Sequence, residues 1–176
     1  MTTTTIDVKI QDERVQTINY TMTRVIVSSD KPFLEVIDAI ESIVGDGKYS
    51  TFEELVTAQA SFEEIKNVVE GILGKSGFMK FASFDMGALM SLMGKPKNVK
   101  LYLIGNPLIA HQMIEQNPAV GLYVPPRLLV FDDYDGKTYV TYDKPSSMLS
   151  QFDNALILKI SQMLDQRFQD TALNIT

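Results

Sequence analysis

One histidine, His111, stands in a chain of 176 residues that holds no cysteine. Imidazole is the side chain whose ordinary titration falls nearest neutral pH, so His111 is the group that could move a proton without help. It follows Asn106-Pro107 by one helical turn. Asparagine before proline marks a helix start, with the asparagine as cap and the proline at the first helical position. The first turn of a helix presents backbone N–H groups without intrahelical partners, and these can receive an anion or a carbonyl. Lys75, Lys80, Lys95, Lys97 and Lys100 fall within 26 residues that hold one acid, Asp85. In an acidic chain that local reversal makes an attractive field for an anionic small molecule or an acidic partner. Arg127, just after Pro125-Pro126, could polarise a bound group. The expected ligand-binding set is therefore Asn106, His111, Lys95, Lys97, Lys100 and Arg127, with His111 as the candidate acid–base residue.

Each of these residues also has a plain structural use. Asn106 can serve as a cap alone, His111 can pair with Glu115 one turn on, and the lysines can form a solvated face. Met86, Met90 and Met93 share one helix face. Thioethers bind Cu(I), but adaptable packing explains such a stripe more simply, and one distant histidine makes no metal site. Tyr123, Tyr139 and Tyr142 suit a pocket rim or an interface, and strand alternation sends Tyr139 and Tyr142 to opposite faces. No Gly-x-Ser-x-Gly, His-Glu-x-x-His, Gly-x-Gly-x-x-Gly or Walker spacing occurs. No metal and no cofactor is expected from these motifs.

These residues must be held by a chain with 16 basic and 22 acidic residues, a formal charge of -6. Such a surface repels phosphate backbones on average, so nucleic acid is not an expected partner. The absence of cysteine excludes disulfides, thiolate metal sites and cysteine nucleophiles, and it fits a reducing compartment. The polar start of the chain does not read as a secretory signal, and no run approaches the ~20 apolar residues that cross a bilayer. A cytoplasmic protein is expected.

Along the chain, residues 1–19 read as an extended arm or loosely ordered tail, and residues 20–176 as one domain. A strand is expected over 20–29, then a helix started by Asp30 and Pro32 and stopped by Gly45 and Gly47. Thr51 with Glu54 and Ser61 with Glu64 have capping-box spacing. The helical period over 52–73 is read as two helices that break near Ala60. Strands follow at 78–84 and 99–104, on either side of a short helix, 86–93, capped by Asp85. The Asn106 helix ends at Asn117-Pro118. The proline pair places the entry to the next strand at an edge, a bulge or a bend. Asp135-Gly136 signals a hairpin between that strand and 138–143. A long amphipathic helix over 154–173 closes the chain. Hairpin-linked strands with helices at both ends imply an α+β, two-layer fold: a mainly antiparallel sheet of about four to five strands with helices on one face.

Residues 78–149 carry a resemblance. The segments GFMKFASFD, YLIGNPLIAHQMI, NPAVGLYVPPRLLVFDD and YDKPSSML resemble the family called domain of unknown function 302. In that family a Gly-Phe strand leads to a Cys-Asn-Pro or Gly-Asn-Pro turn and a helix. A Gly-Leu segment, a proline-led strand and a Pro-x-x-Met-Leu close follow. The resemblance implies a fold similar to the TATA-binding-protein-like α+β folds and a homodimer. It implies no activity. Gly105 stands where the cysteine of the Cys-Asn-Pro version falls, so a thiol-based role does not carry over. Residues 45–74 look like a helical insertion relative to shorter members.

The leading functional expectation is a small polar or anionic molecule bound near the Asn106 helix start. The alternatives are an interaction module acting through a homodimer or partner interface, and an enzyme using His111 with Asn106 or Arg127 as polariser.

Overall fold

The β-branched run Val25, Ile26, Val27 builds β1 (Arg24–Ser29), and the three- and four-residue spacing of Val36, Ile37 and Ile40 buries one side of α1 (Phe33–Ile43). The computed structural model describes residues 12, 14–133 and 136–176, so the expected arm falls largely outside the described residues. Beyond α1 come β2 (Gly45–Asp46), α2 (Tyr49–Thr57), α3 (Phe62–Ile72), β3 (Met79–Asp85) and α4 (Met86–Leu92). Then come β4 (Val99–Gly105), α5 (Pro107–Ile114), a 3-10 turn (Pro118–Tyr123), β5 (Arg127–Asp132) and β6 (Thr138–Asp143). The chain closes with α6 (Pro145–Leu149) and α7 (Ala155–Ile175).

The strands form one mixed sheet in the order β1-β6-β5-β4-β3-β2. All neighbours are antiparallel except β2 and β3. The sheet thus has six strands where four to five were expected, and the addition is β2. Its two residues pair with Met79 and Lys80. The glycine read as a helix stop is also needed for a close approach: a β carbon on Gly45 would lie 1.7 Å from the Ile72 carbonyl oxygen.

Helix ends depart from the sequence reading where local signals competed. Pro32, not Asp30, is the N-cap of α1, and no side chain caps that helix. Asp30 instead stands 3.8 Å from Lys137. Thr51 lies inside α2, which begins after Lys48. The second capping box forms as expected: Ser61 N donates to Glu64 Oε2 (2.7 Å), and Glu64 N donates to Ser61 Oγ (3.3 Å). The break near Ala60 is present, with Gln59 in the left-handed region at φ 50°. The strand expected from residue 20 starts at Arg24. Asp135 of the expected hairpin turn lies outside the described residues, and Gly136 has φ 77°.

Strand alternation sorts the residues of the sheet. Val25, Tyr142, Leu128 and Tyr102 lie side by side in register on the face covered by α1 and α7. Tyr139 points to the other face, where its ring stacks on Phe131 at 5.5 Å. Asn154 caps α7 through Leu156 N and Ile157 N, and Ile157, Ile160, Leu164, Phe168, Ala172 and Ile175 face the core. The rings of Phe78 and Tyr142 stand 4.8 and 5.3 Å from Phe168, which locks α7 onto the sheet.

Candidate functional site

Where β4 ends, the chain turns sharply into α5. Asn106 Oδ1 accepts from Leu108 N (2.9 Å), and Pro107 supplies a fixed φ and no N–H. Ile109 N and Ala110 N both donate to the Asn106 carbonyl oxygen, at 3.1 and 3.0 Å. The amides of the first turn are therefore engaged, so the local geometry does not supply the free N–H groups that an anion would need. The Asn106 amide also spends its donor: Nδ2 donates to Gly77 O at 3.2 Å. That bond ties the helix start to the loop before β3.

The turn opens a cavity of about 370 Å³ between α5, α7 and the end of the sheet. Phe78, Phe81, Pro125, Pro126, Leu164 and Phe168 supply much of its wall. Asn106 and His111 are the two lining residues with polar side chains. The proline pair forms a bend into β5, with the Val124–Pro125 peptide bond cis and Pro126 O accepting from Ile104 N. Gly105 belongs to the wall too: a β carbon there would sit 3.5 Å from Pro125 Cβ and 3.7 Å from Phe81 Cε2. Those are ordinary contacts, so the glycine leaves space without being sterically required.

His111 is exposed at the mouth, its ring 5.9 Å from that of Phe62 on α3. The imidazole has no side-chain hydrogen bond among the described residues, and the expected pair with Glu115 does not form there. Chemically, the wall can shelter an apolar body, and the imidazole can meet one polar group at the rim.

The remaining expected site residues lie elsewhere. Lys95, Lys97, Lys100 and Arg127 do not line this cavity. Lys100 stands six residues before Asn106 on an extended strand, about 20 Å along the sheet. Its Nζ lies 3.2 Å from Glu41 Oε1. Glu41 on α1 also accepts from Lys80 Nζ (2.7 Å) and Tyr102 Oη (3.0 Å), and Lys80 reaches Asp46 at 3.3 Å. Burial pushes the Glu41 carboxyl up, but the hydrogen bonds from Lys80, Lys100 and Tyr102 outweigh it and hold the carboxyl below its ordinary range. Burial next to Glu41 pushes the Tyr102 hydroxyl up. Part of the lysine-rich window is thus a clamp between α1 and the sheet. Arg127 pairs with Asp143 at 3.2 Å on the face opposite α1 and α7. Met86, at the start of α4, and Met93, just past its end, are exposed.

Sequence reasoning missed the apolar majority of the cavity wall. Phe78 falls on the expected strand 78–84, Leu164 and Phe168 fall on the expected amphipathic helix 154–173, and nothing in their spacing says that a concavity lies beside them.

A family model described as Domain of unknown function DUF302 matches residues 54–172. The chain belongs to the DUF302 family. Every lining residue of the cavity falls within that match. Among solved structures, the chain is similar to an uncharacterized conserved protein DUF302 from Bacillus stearothermophilus, with a TM-score of 0.61 and 15% identity. The alignment covers 87% of this chain and 98% of that one. At that identity the likeness speaks for a shared DUF302 fold. No curated protein matches the chain.

Proposed function

We propose that this DUF302 protein binds a small molecule with an apolar body and one polar or anionic end in the cavity beside α5. The observation that carries this reading is the composition of the wall: an apolar concavity of about 370 Å³ whose polar side chains are Asn106 and His111. Its size lies at the lower end of small-molecule sites, and such sites are mostly apolar with few polar groups. The engaged amides of the α5 start and the distant lysines shift the reading from a polar ligand toward an amphipathic one. His111 is then the rim residue that meets the polar end.

Octanoate and 1-octanol are suitable probes for a thermal-shift titration. At about a hundredfold above Kd a ligand adds about 2.7 kcal/mol, which at this chain size raises Tm by about 5–10 °C. Ala110→Leu fills the cavity from α5 and is expected to abolish both shifts while the protein stays folded. His111→Ala is expected to weaken octanoate more than octanol. No saturable shift with either probe, or shifts that survive Ala110→Leu, would end this reading.

A second reading, a homodimer, draws support from the sheet face opposite α1 and α7, which is partly exposed among the described residues. Ile26, Thr141, Leu129, Leu101 and Phe84 lie in register across five strands on that face. Ile26 is 59% exposed and Phe84 50%. Beside that row Asp143 lies between Arg24 and Arg127, at 3.5 and 3.2 Å, so the face carries both signs and can oppose a copy of itself. Sedimentation equilibrium is expected to give twice the chain mass of 19.7 kDa, and a monomer rules the dimer out.

A further inference from the structure

A second concavity, of about 550 Å³, lies on the other side of the corner formed by Gly77 and Phe78. The loop before β3 forms one wall with Lys75, Ser76 and Gly77, and α7 forms the other with Gln166, Arg167 and Asp170. Its character is opposite to that of the apolar cavity. Arg167 sets its guanidinium over the Phe78 ring, 5.7 Å from the centroid. Gly77, at φ 73°, makes room for it: a β carbon there would lie 2.7 Å from Arg167 Nη1. The cation is thus placed by a ring on one side and a side-chain-free turn on the other.

A guanidinium carries five N–H donors and no acceptor. Among the described residues those of Arg167 find no acceptor, and neither does the Lys75 ammonium. The neighbouring carboxylate, Asp170, accepts instead from Gln166 Nε2 at 2.8 Å. Two cations therefore face one carboxylate in a chain whose formal charge is -6. Planar guanidinium matches the oxygens of a phosphate or carboxylate in a forked arrangement, and a nearby ammonium adds attraction.

We infer that this cleft binds the oxyanion group, phosphate or carboxylate, of a small molecule, with Arg167 as the principal donor and Lys75 as the second charge. Asp170 opposes the anion and sets an upper bound on its charge. The inference stands on this cleft alone and is independent of the apolar cavity.

Titration of the full chain with inorganic phosphate and with malonate, at ionic strength held constant by sodium chloride, tests it. Amide NMR spectra are followed for residues 74–77 and 163–174. Saturable shifts are expected with at least one anion, and the better of the two identifies the oxyanion class. Arg167→Gln is expected to weaken binding roughly tenfold or more, the loss of charge-assisted hydrogen bonds. Lys75→Gln is expected to weaken it severalfold, and Asp170→Asn to tighten it. Lys75 and Asp170 are exposed, so their variants read the site even if the Arg167 variant unfolds. Linear, non-saturating shifts with both anions overturn the inference, as do affinities unchanged in Lys75→Gln and Asp170→Asn.

Discussion

Tyr102 carries its ring into the core at the middle of β4 and leaves its hydroxyl 3.0 Å from Glu41 Oε1. One carboxylate on α1 thereby gathers a phenol and two ammonium groups from the sheet. The arrangement has a pH signature whose sign follows from the direction of the shift. The Glu41 carboxyl is held below its ordinary value of 4.5 in the folded state. Its contribution is complete above the unfolded-state pKa and drains away as pH falls through the lower folded value. The difference in unfolding free energy between wild type and Glu41→Gln, from urea titrations, is therefore expected to be largest near neutral pH and to shrink in acid. A difference that stays constant down to pH ~3 would deny Glu41 this role. The spacing of residues 41, 80, 100 and 102 gives no hint of such a cluster, because three separate stretches of chain, α1, β3 and β4, supply it.

Among the elements, α5 and α7 depend on sequence in different ways. The start of α5 is written locally: Asn106-Pro107 names the cap and the first helical residue, and the bond to Leu108 N confirms it. The long period of α7 announces an apolar face, and Phe168 sits at its centre, fully buried against Phe78 and Tyr142. Phe168→Ala is expected to cost about 3–5 kcal/mol in denaturant unfolding, as for other large-to-small core changes. Met163, on the exposed side at 40%, is expected to tolerate Ala within about 0.5 kcal/mol. Equal effects at the two positions would contradict the packing. The misread starts of α1 and α2 have a common cause. An acidic or hydroxyl residue near a helix start is a common signal, and which residue serves depends on where the preceding strand releases the chain.

Across the whole molecule, the sheet separates two apolar faces with different fates. One is covered by α1 and α7. The other presents Ile26, Leu129 and Leu101 in one row. If the proposed homodimer forms through that face, Leu129→Lys places a charge in the centre of the row and is expected to shift the sedimentation mass to that of a monomer. Unchanged mass in this variant moves the interface elsewhere. Among the described residues no helix is long and apolar enough to cross a membrane.

The α+β class, the antiparallel pairing of β5 with β6, the helix starts at Asn106 and Asn154 and the family resemblance were all present in the sequence, because caps, prolines and strand alternation act over a few residues. The tertiary structure decided the rest. It bound Lys100 to Glu41 and turned Arg127 to the face that α1 and α7 leave open, where it pairs with Asp143. It also brought Phe78, Pro125 and Leu164 together around an empty volume. A cavity is a shape left between elements distant in the chain, so no local pattern records it. What the sequence singled out at Asn106 and His111 is the rim of that shape, and its apolar wall came from residues whose spacing announced nothing beyond a core.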